Sequence, residues 1–188
     1  DISGLPLIKE ISDKLENLKV IYIAGNSSDI PENLNGIEVR SFDELYNFSD
    51  ENPNIAIGIK DQERCMFTSG TTGMPKGVVR EHGGVVMTVR SYLQYQGIRS
   101  EDTLMSVLSL GHANAQAMCL FASIGSGATA VFFPKFSASN FFKWAHDCGA
   151  TVTNFLGAVS EYLWSSKESE FDKKHSIRTV LAGPAPKN

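Results

Sequence analysis

The stretch from Phe67 to Val79, FTSGTTGMPKGVV, constrains this chain more than any other. It places glycines, hydroxyl side chains, a proline and a lysine inside a short frame that begins and ends with apolar residues. Glycine accepts positive φ angles and lets the backbone approach a ligand closely, and hydroxyl and backbone N–H donors can together form an anion-binding nest. Lys76 adds a mobile positive charge that suits phosphate. The stretch predicts a phosphate-binding loop, although such clusters are also typical of ordinary surface loops.

The charge around the loop favours the phosphate-binding interpretation. No acidic residue occurs between Glu63 and Glu81, whereas Arg64, Lys76 and Arg80 are all basic. This basic segment lies in a chain whose formal net charge is −4. A local positive charge against an acidic background is what a loop for polyphosphate needs.

Strands are predicted on both sides of the loop. Residues 64–67 predict a buried strand that leads into the loop, and residues 78–79 predict its continuation. The loop is not a Walker loop, which would need a lysine directly after its second glycine, where Met74 stands.

The ten positions from Thr68 to Gly77, TSGTTGxPKG with one free site, resemble the phosphate loop of the adenylate-forming (AMP-binding) enzymes. That superfamily includes acyl-CoA synthetases, peptide-synthetase adenylation domains and luciferases. The resemblance implies a two-step reaction. A carboxylate attacks the α-phosphate of Mg-ATP to give an acyl-adenylate and pyrophosphate, and a thiol, usually coenzyme A, then takes the acyl group. ATP, Mg²⁺ and coenzyme A are therefore the expected cofactors and co-substrates. In that family the loop holds the β- and γ-phosphates, which implies this role for Thr68, Ser69, Gly70, Thr71, Thr72, Gly73 and Lys76.

Length and composition predict a globular protein, and the expected location is the cytoplasm. The 188 residues can bury one sizeable core, and 42% of them are hydrophobic and 20% charged. The acidic net charge and the absence of a basic tract exclude nucleic acid as a main partner. The longest apolar stretch, residues 117–133, is interrupted by serines, glycines and a threonine, so it predicts a helix, a turn and a strand rather than a membrane span. The first residues do not resemble a signal peptide.

The cysteines and histidines predict no metal site. Cys65, Cys119 and Cys148 are odd in number and each lies in an apolar segment, which indicates buried, reduced thiols. The four histidines show no zinc-ligand spacing with them.

Helical and strand patterns alternate along the chain. Hydrophobic periodicity predicts helices at 7–18, 42–48, 82–96, 113–124, 139–148 and 159–164. It predicts further strands at 20–24, 37–40, 103–108, 129–133, 151–155 and 177–182. This alternation predicts an α/β fold with a mostly parallel sheet covered by helices on both faces. The polar segment 49–54 and the charged segment 167–175 are interpreted as loops.

Ligands of such sheets gather outside the carboxyl ends of the strands. That rule selects residues 111–114, 155–158 and 183–186, and the candidate pocket residues within the first two are His112, Asn114, Phe155 and Gly157. The resemblance supports His112, which matches the histidine of an aromatic-His element at the mouth of the family's acyl pocket, with Gly111 in place of the aromatic residue. The segment Gly183, Pro184, Ala185 and Pro186 is similar to the family's Gly-Gly-Ala-Pro turn that packs against adenine. A proline at its second position reduces the backbone freedom of that turn.

The resemblance extends from about Asn52 to the end of the sequence. The family's later motifs, which carry an acid for magnesium, an aspartate for the ribose and a catalytic lysine on a small C-terminal domain, are not found here. Residues 1–188 are therefore interpreted as a single partial domain, a fragment of the family's large N-terminal domain. No catalytic residue is assigned, and the fragment alone is expected to be inactive.

Three interpretations of the function remain open. The first is an acyl-CoA synthetase. Within it, residues 112–116 and 135–138 resemble carnitine and crotonobetaine CoA ligases, so fatty-acid or carnitine metabolism is expected. The second is a peptide-synthetase adenylation domain, which would place an aspartate shortly after the histidine, whereas residues 110–120 contain no acid. The third is a non-catalytic nucleotide-binding module. The expected partners are a small carboxylate, ATP and coenzyme A, and the sequence leaves the oligomeric state open.

Overall fold

The computed structural model describes residues 2–25, 30–68 and 73–183 of the chain. Contacts between residues divide the chain into two units, residues 1–55 and 56–188. The division lies directly after the polar segment 49–54. The assignment of the whole chain to one partial domain stays a prediction.

The smaller unit combines one helix with a three-stranded sheet. Helix α1 is Leu5–Ile11, and the strands are β1 Val20–Ile23, β2 Asn33–Leu34 and β3 Ile37–Ser41. The strand order is β1-β3-β2, with β1 and β3 parallel and β2 antiparallel to β3. Short 3₁₀ helices lie at Ile2–Gly4, Ser12–Lys14 and Phe42–Asn47. The buried core of this unit consists of Leu5, Ile23, Leu34 and Val39.

Helix α1 is shorter than the sequence predicts. The prediction of a helix over 7–18 is wrong beyond Ile11, because the backbone tightens there into the 3₁₀ turn that starts at Ser12. The Ser12 hydroxyl donates to the Lys9 carbonyl at 2.8 Å, a local bond that competes with continued helix. Leu7 is 63% exposed, so the apolar stripe is only partly used for packing.

The larger unit contains the remaining elements. Its strands are β4 Gln62–Thr68, β5 Lys76–Glu81, β6 Thr103–Ser106, β7 Thr129–Phe132, β8 Val152–Leu156 and β9 Thr179–Gly183. Its α-helices are α2 His82–Gln96, α3 Ala113–Ala115, α4 Ala122–Ser126, α5 Phe141–Asp147 and α6 Gly157–Trp164. A π-helix at Gln116–Phe121 joins α3 to α4, and a 3₁₀ helix lies at Glu170–Lys173.

A four-stranded parallel sheet organises this unit and confirms the predicted fold class. Its order is β7-β6-β8-β9, and every neighbouring pair is parallel. Buried residues from helices lie on both faces. One core joins Met105 and Phe155 of the sheet to Phe141 of α5, and the other joins Leu104 to Tyr92 of α2. Parallel sheets are buried in this way because their crossover helices cover both faces.

Strands β4 and β5 form an antiparallel hairpin apart from this sheet. Thr68 pairs with Lys76 next to the loop, and Arg64 pairs with Arg80 four residues further along. The prediction of a buried strand over 64–67 is wrong, since β4 is partly exposed along its length and Phe67 is 75% exposed. The reason is that each strand of the hairpin has only the other as its neighbour among the described residues.

The three cysteines differ in their surroundings, and all are free thiols. Cys119 is buried in the core below α2, where burial raises the pKa of its thiol to about 12. Cys148 is half-buried, and burial raises its pKa as well. Cys65 lies exposed on β4, which corrects the prediction that all three thiols are buried.

An ion pair with a buried carboxylate connects the amino-terminal ends of three parallel strands. Asp102, directly before β6, is 4% exposed. It accepts hydrogen bonds from Arg178, directly before β9, at 3.1 and 2.5 Å, and from the Thr151 hydroxyl, directly before β8, at 2.7 Å. Arg178 also donates to the carbonyls of Gln96 and Gly97 at the end of α2. We call this set the Asp102 clamp. It lies at the end of the sheet opposite to the candidate site.

Candidate active site

The phosphate-loop motif is carried at the end of the β4–β5 hairpin. Thr68, the first residue of the motif, faces Lys76 in the strand register. Lys76 is exposed, which keeps its ammonium available to a ligand. Gly73 has φ +92°, a conformation that L side chains rarely adopt. The predicted residues Ser69, Gly70, Thr71 and Thr72 lie outside the described residues.

The described part of this loop fits a polyphosphate chemically. A lysine ammonium, a threonine hydroxyl and a glycine with positive φ are the donor types that bind phosphate oxygens. Within the described residues, Lys76 has no carboxylate within ion-pair distance. Its charge is therefore not cancelled by a neighbouring acid in that part of the chain.

The segment after β6 places His112 at the start of α3. His112 is the N-cap residue, and its Nδ1 accepts a hydrogen bond from the backbone N–H of Asn114 at 3.2 Å. Gln116 closes the same turn by donating its side-chain amide to the Leu110 carbonyl at 2.6 Å. These bonds fix the orientation of the exposed imidazole.

A buried amide connects this segment to the sheet. Asn154, on β8, is 1% exposed, and its Nδ2 donates to Oδ1 of Asn114. The bond uses the oxygen of the Asn114 amide and leaves the Asn114 nitrogen as a donor. Asn154 was not predicted as a site residue, because it lies within an otherwise unremarkable strand pattern.

The carboxyl ends of β8 and β9 lie side by side, as expected for a ligand-binding edge. Leu156 pairs with Gly183, the last residue of β9, and Gly157 begins α6 directly after β8. Gly157 is buried at that helix start. Pro184, Ala185 and Pro186 lie outside the described residues, so the proposed adenine turn stays a prediction.

Phe155 lies on the opposite face of the sheet from Asn114. Side chains alternate along a strand, so Phe155 points to the opposite face of the sheet from Asn154 and its partner Asn114. Its ring packs edge-to-face against Phe141 at a centroid distance of 5.9 Å. Phe155 thus belongs to the core below α5, and a direct role in the same pocket as His112 stays a prediction.

The cavities of the larger unit are distributed over both faces of the sheet. A groove of about 770 Å³ along α2 is lined mainly by apolar residues and includes none of the predicted site residues. Cavities of about 550 and 330 Å³ border Phe155. A smaller cavity of about 220 Å³ touches the His112 segment. It is lined by Arg64, Arg80, Val85, Thr88, Ala113, Asn114, Ala117 and Met118. We call it the arginine cavity.

The arginine cavity contains site candidates that the sequence prediction missed. Arg64 and Arg80 were recognised as basic residues near the loop, but not as a pair. The signal was nonetheless present, because both lie four residues from a loop end, at Thr68 and Lys76 respectively. Equal spacing from the ends of a hairpin loop places residues opposite each other.

Two further properties concern metals and membranes. Across residues 2–25, 30–68 and 73–183, no group of three or more His, Cys, Asp or Glu side chains is arranged to hold a metal ion. The expected Mg²⁺ is therefore not assigned to any described residue. The helices in the same ranges are too short or too polar to span a membrane.

Comparisons with known proteins agree with this fold and loop. The family model described as "AMP-binding enzyme" matches residues 5–188. Mouse "Long-chain fatty acid transport protein 5" is 33% identical over 179 residues, which cover 93% of this chain and 25% of that protein. "Medium/long-chain-fatty-acid--CoA ligase FadD6" of Mycobacterium tuberculosis is 33% identical over 129 residues, covering 66% of this chain and 21% of that protein. The chain thus spans a quarter or less of the length of these two relatives.

A solved structure shares the same architecture. The crystal structure of the anthranilate CoA ligase AuaEII with anthranoyl-AMP superposes with a TM-score of 0.80 at 22% identity, covering 96% of this chain and 34% of that chain. At this identity the likeness shows the fold alone. The family match over nearly the whole sequence carries the assignment, and the chain therefore belongs to the AMP-binding enzyme family.

Proposed function

We propose that the protein containing this chain is an ATP-dependent acyl-CoA synthetase. The observation that carries the proposal is the loop from Thr68 to Gly77, which sits at the end of a hairpin with its lysine exposed. In the proposed reaction a carboxylate oxygen of the acid attacks the α-phosphorus of ATP and pyrophosphate leaves. The sulfur of coenzyme A then attacks the acyl carbon of the adenylate, and AMP leaves.

The residues of this chain would bind and orient in that reaction. Lys76 and the loop donors hold the outer phosphates, so that the leaving pyrophosphate is stabilised as its charge develops. His112, fixed by its bond to the Asn114 backbone, borders the path of the acid. Mg²⁺, when bound, neutralises phosphate charge. The remaining catalytic groups are expected outside these 188 residues.

The acid substrate and the cellular location are also proposed. The named relatives support a fatty acid, whereas the short matches at 112–116 and 135–138 support a carnitine-like acid. The free thiols of Cys65, Cys119 and Cys148 are consistent with the cytoplasm. An α-amino acid is disfavoured, because an ammonium group needs a carboxylate partner in a dry pocket.

The test is ATP–pyrophosphate exchange by the full-length protein with a panel of carboxylic acids. Lys76→Ala should lower kcat/KM for ATP by ~10- to 100-fold, since a charge-assisted contact to phosphate contributes ~1.5–3 kcal/mol. Lys167→Ala, which removes an exposed lysine from a loop outside the site, is the matched control and should leave exchange unchanged. Exchange that is insensitive to Lys76→Ala, or that responds only to α-amino acids, would contradict the proposal.

A further inference from the structure

Two arginines face each other in the β4–β5 hairpin, where a pair of unlike charges would be more stable. Arg64 and Arg80 are direct partners in the strand register and both are half-buried. Directly opposed residues of an antiparallel pair have Cβ atoms only ~4.5–5.5 Å apart, and like charges there are destabilising. The hairpin therefore concentrates positive charge on one of its faces.

Only one of these two charges is neutralised among the described residues. Glu63 forms an ion pair with Arg64 at 2.6 Å, and the side chains of this pair are 17% and 15% exposed. Within residues 2–25, 30–68 and 73–183, the Arg80 guanidinium makes one hydrogen bond, a neutral one from Nη2 to the Thr88 hydroxyl at 3.4 Å. Glu63 thus balances Arg64, and one positive charge is left beside the cavity. A half-buried guanidinium without a carboxylate is the arrangement that an external anion stabilises.

The arginine cavity between these side chains is lined by donors and apolar groups, and none of its described lining residues is an acid. The Thr88 hydroxyl donates its hydrogen to the Gly84 carbonyl at 2.8 Å and accepts from Arg80, so the donors left for an anion are the guanidinium groups and an amide. Asn114 contributes its Nδ2, because Asn154 already occupies its oxygen. At about 220 Å³ the cavity suits a small group rather than a whole drug-sized ligand.

The cavity also has a fixed place relative to the proposed reaction. Arg64 and Arg80 lie four residues from Thr68 and Lys76 along the hairpin, which corresponds to ~13 Å at ~3.3 Å per strand residue. Asn114 joins the cavity to the His112 segment, where the acid is expected to enter. About 13 Å of strand therefore separates the two arginines from the loop ends, and the lining of the cavity includes the segment that follows His112.

We infer that the arginine cavity binds a second anionic group of the acid substrate, so that the preferred substrates are dicarboxylic acids. The inference rests on the proposed function, which it makes specific. One carboxylate is activated with ATP while the distant one pairs with Arg80, with Arg64 and the Asn114 amide completing the donor set. A carnitine-like acid carries a trimethylammonium group instead, and the uncompensated charge of Arg80 repels it.

The experiment compares acids of equal length in the full-length protein. Straight-chain monocarboxylic acids and the corresponding α,ω-dicarboxylic acids of four to ten carbons are assayed by ATP–pyrophosphate exchange. The wild-type protein should prefer the diacid at one or more lengths. Arg80→Gln should lower the ratio of kcat/KM for diacid over monoacid by ~10- to 100-fold, the effect of one charge-assisted contact. Arg99→Gln removes an arginine whose side chain is 75% exposed and is the matched control.

The ratio of kcat/KM for diacid over monoacid keeps the test decisive when a variant folds poorly. Both acids are measured on one preparation, so the active fraction of the protein cancels from the ratio. Arg80→Lys keeps the charge but loses the planar fork, and should give an intermediate ratio. If both proteins catalyse exchange and Arg80→Gln leaves the diacid-to-monoacid ratio of kcat/KM unchanged, the inference is overturned. The proposed function would stand in that case. If Arg80→Gln lowers kcat/KM equally for both acids because the KM for ATP rises, the cavity binds a nucleotide phosphate. That result would also overturn the inference.

Direct binding separates this inference from the proposed function. Calorimetric titration without ATP should show that the diacid binds more tightly than the monoacid, and that Arg80→Gln removes the difference. That result in a protein without exchange activity would support the anion site and refute the proposed reaction. Equal binding of both acids would refute the anion site whatever the activity.

Discussion

The Asp102 clamp predicts a specific loss of stability in acid. Burial alone would raise the pKa of Asp102, but hydrogen bonds from Arg178, Thr151 and the Arg99 backbone outweigh burial and lower it from 3.8 to about 2. A group whose pKa is lowered by folding stabilises the folded state above its ordinary pKa, and this stabilisation disappears as the pH falls through the folded value. At ~1.4 kcal/mol per pKa unit, the contribution is ~2.5 kcal/mol.

Asp102→Asn should remove this contribution while keeping the shape of the side chain. The amide has no charge and only one acceptor oxygen, so it cannot accept from Arg178 Nη2 and the Arg99 N–H on one side and from Arg178 Nε and the Thr151 hydroxyl on the other. We therefore expect the free energy of unfolding at pH 7 to fall by ~2–3 kcal/mol. Asp147→Asn is the control, because Asp147 pairs with Lys143 at 2.5 Å with both side chains about half exposed. Such surface pairs contribute only ~0.3–0.5 kcal/mol.

Urea unfolding followed by circular dichroism between pH 7 and pH 2 measures both effects. The wild-type protein should lose ~2 kcal/mol more than Asp102→Asn as the pH falls from about 5 to about 2, because the folded carboxyl is half protonated at the lower pH. Parallel pH profiles for the two proteins, or a loss at pH 7 no greater than that of Asp147→Asn, would refute the assigned role of the clamp.

Two further predictions concern backbone packing and thiol reactivity. Gly83→Ala should destabilise the start of α2 by ~1–3 kcal/mol, because an added Cβ would lie 2.7 Å from the Ile59 carbonyl oxygen. Thermal unfolding measures this loss against the control Gly84→Ala, where a Cβ meets nothing within 4 Å. Equal losses of stability in the two variants would refute the prediction. Cys65 should react with a thiol reagent in the folded protein, whereas Cys119 should react only after unfolding, because it is fully buried with a raised pKa. Peptide mapping after timed labelling distinguishes them, and early labelling of Cys119 would contradict the buried position.

Local patterns in the sequence predicted the elements with strong signals of their own. Helix α2 begins at His82 and ends at Gln96 as predicted, because its apolar residues recur at four-residue spacing and Gly97 adopts the left-handed conformation that ends it. The predicted helix over 113–124 exists, but it contains the π-helix at 116–121, which a 3.6-residue period does not reveal. Predicted strand ends differ from the observed ones by a few residues.

The rest depends on contacts between distant residues, which one sequence does not specify. The exposure of β4 followed from the number of neighbouring strands rather than from its apolar residues. The bond between Asn154 and Asn114 joins residues 40 positions apart, and no local pattern connects them. The arginine cavity is an intermediate case, because hairpin register alone would have paired Arg64 with Arg80 once the loop ends were known.

The Asp102 clamp also bears on the order in which the chain folds. Asp102 is separated from Thr151 by 49 positions and from Arg178 by 76, so two long loops must close before the carboxylate has all its partners. Closing long loops costs entropy before any contact forms, and folds with many distant contacts fold slowly, in milliseconds to seconds. During synthesis, β6, β7 and β8 leave the ribosome before Arg178 does. Until its last strand arrives, the nascent sheet therefore carries a solvated carboxylate at the position where the finished fold has the Asp102–Arg178 ion pair.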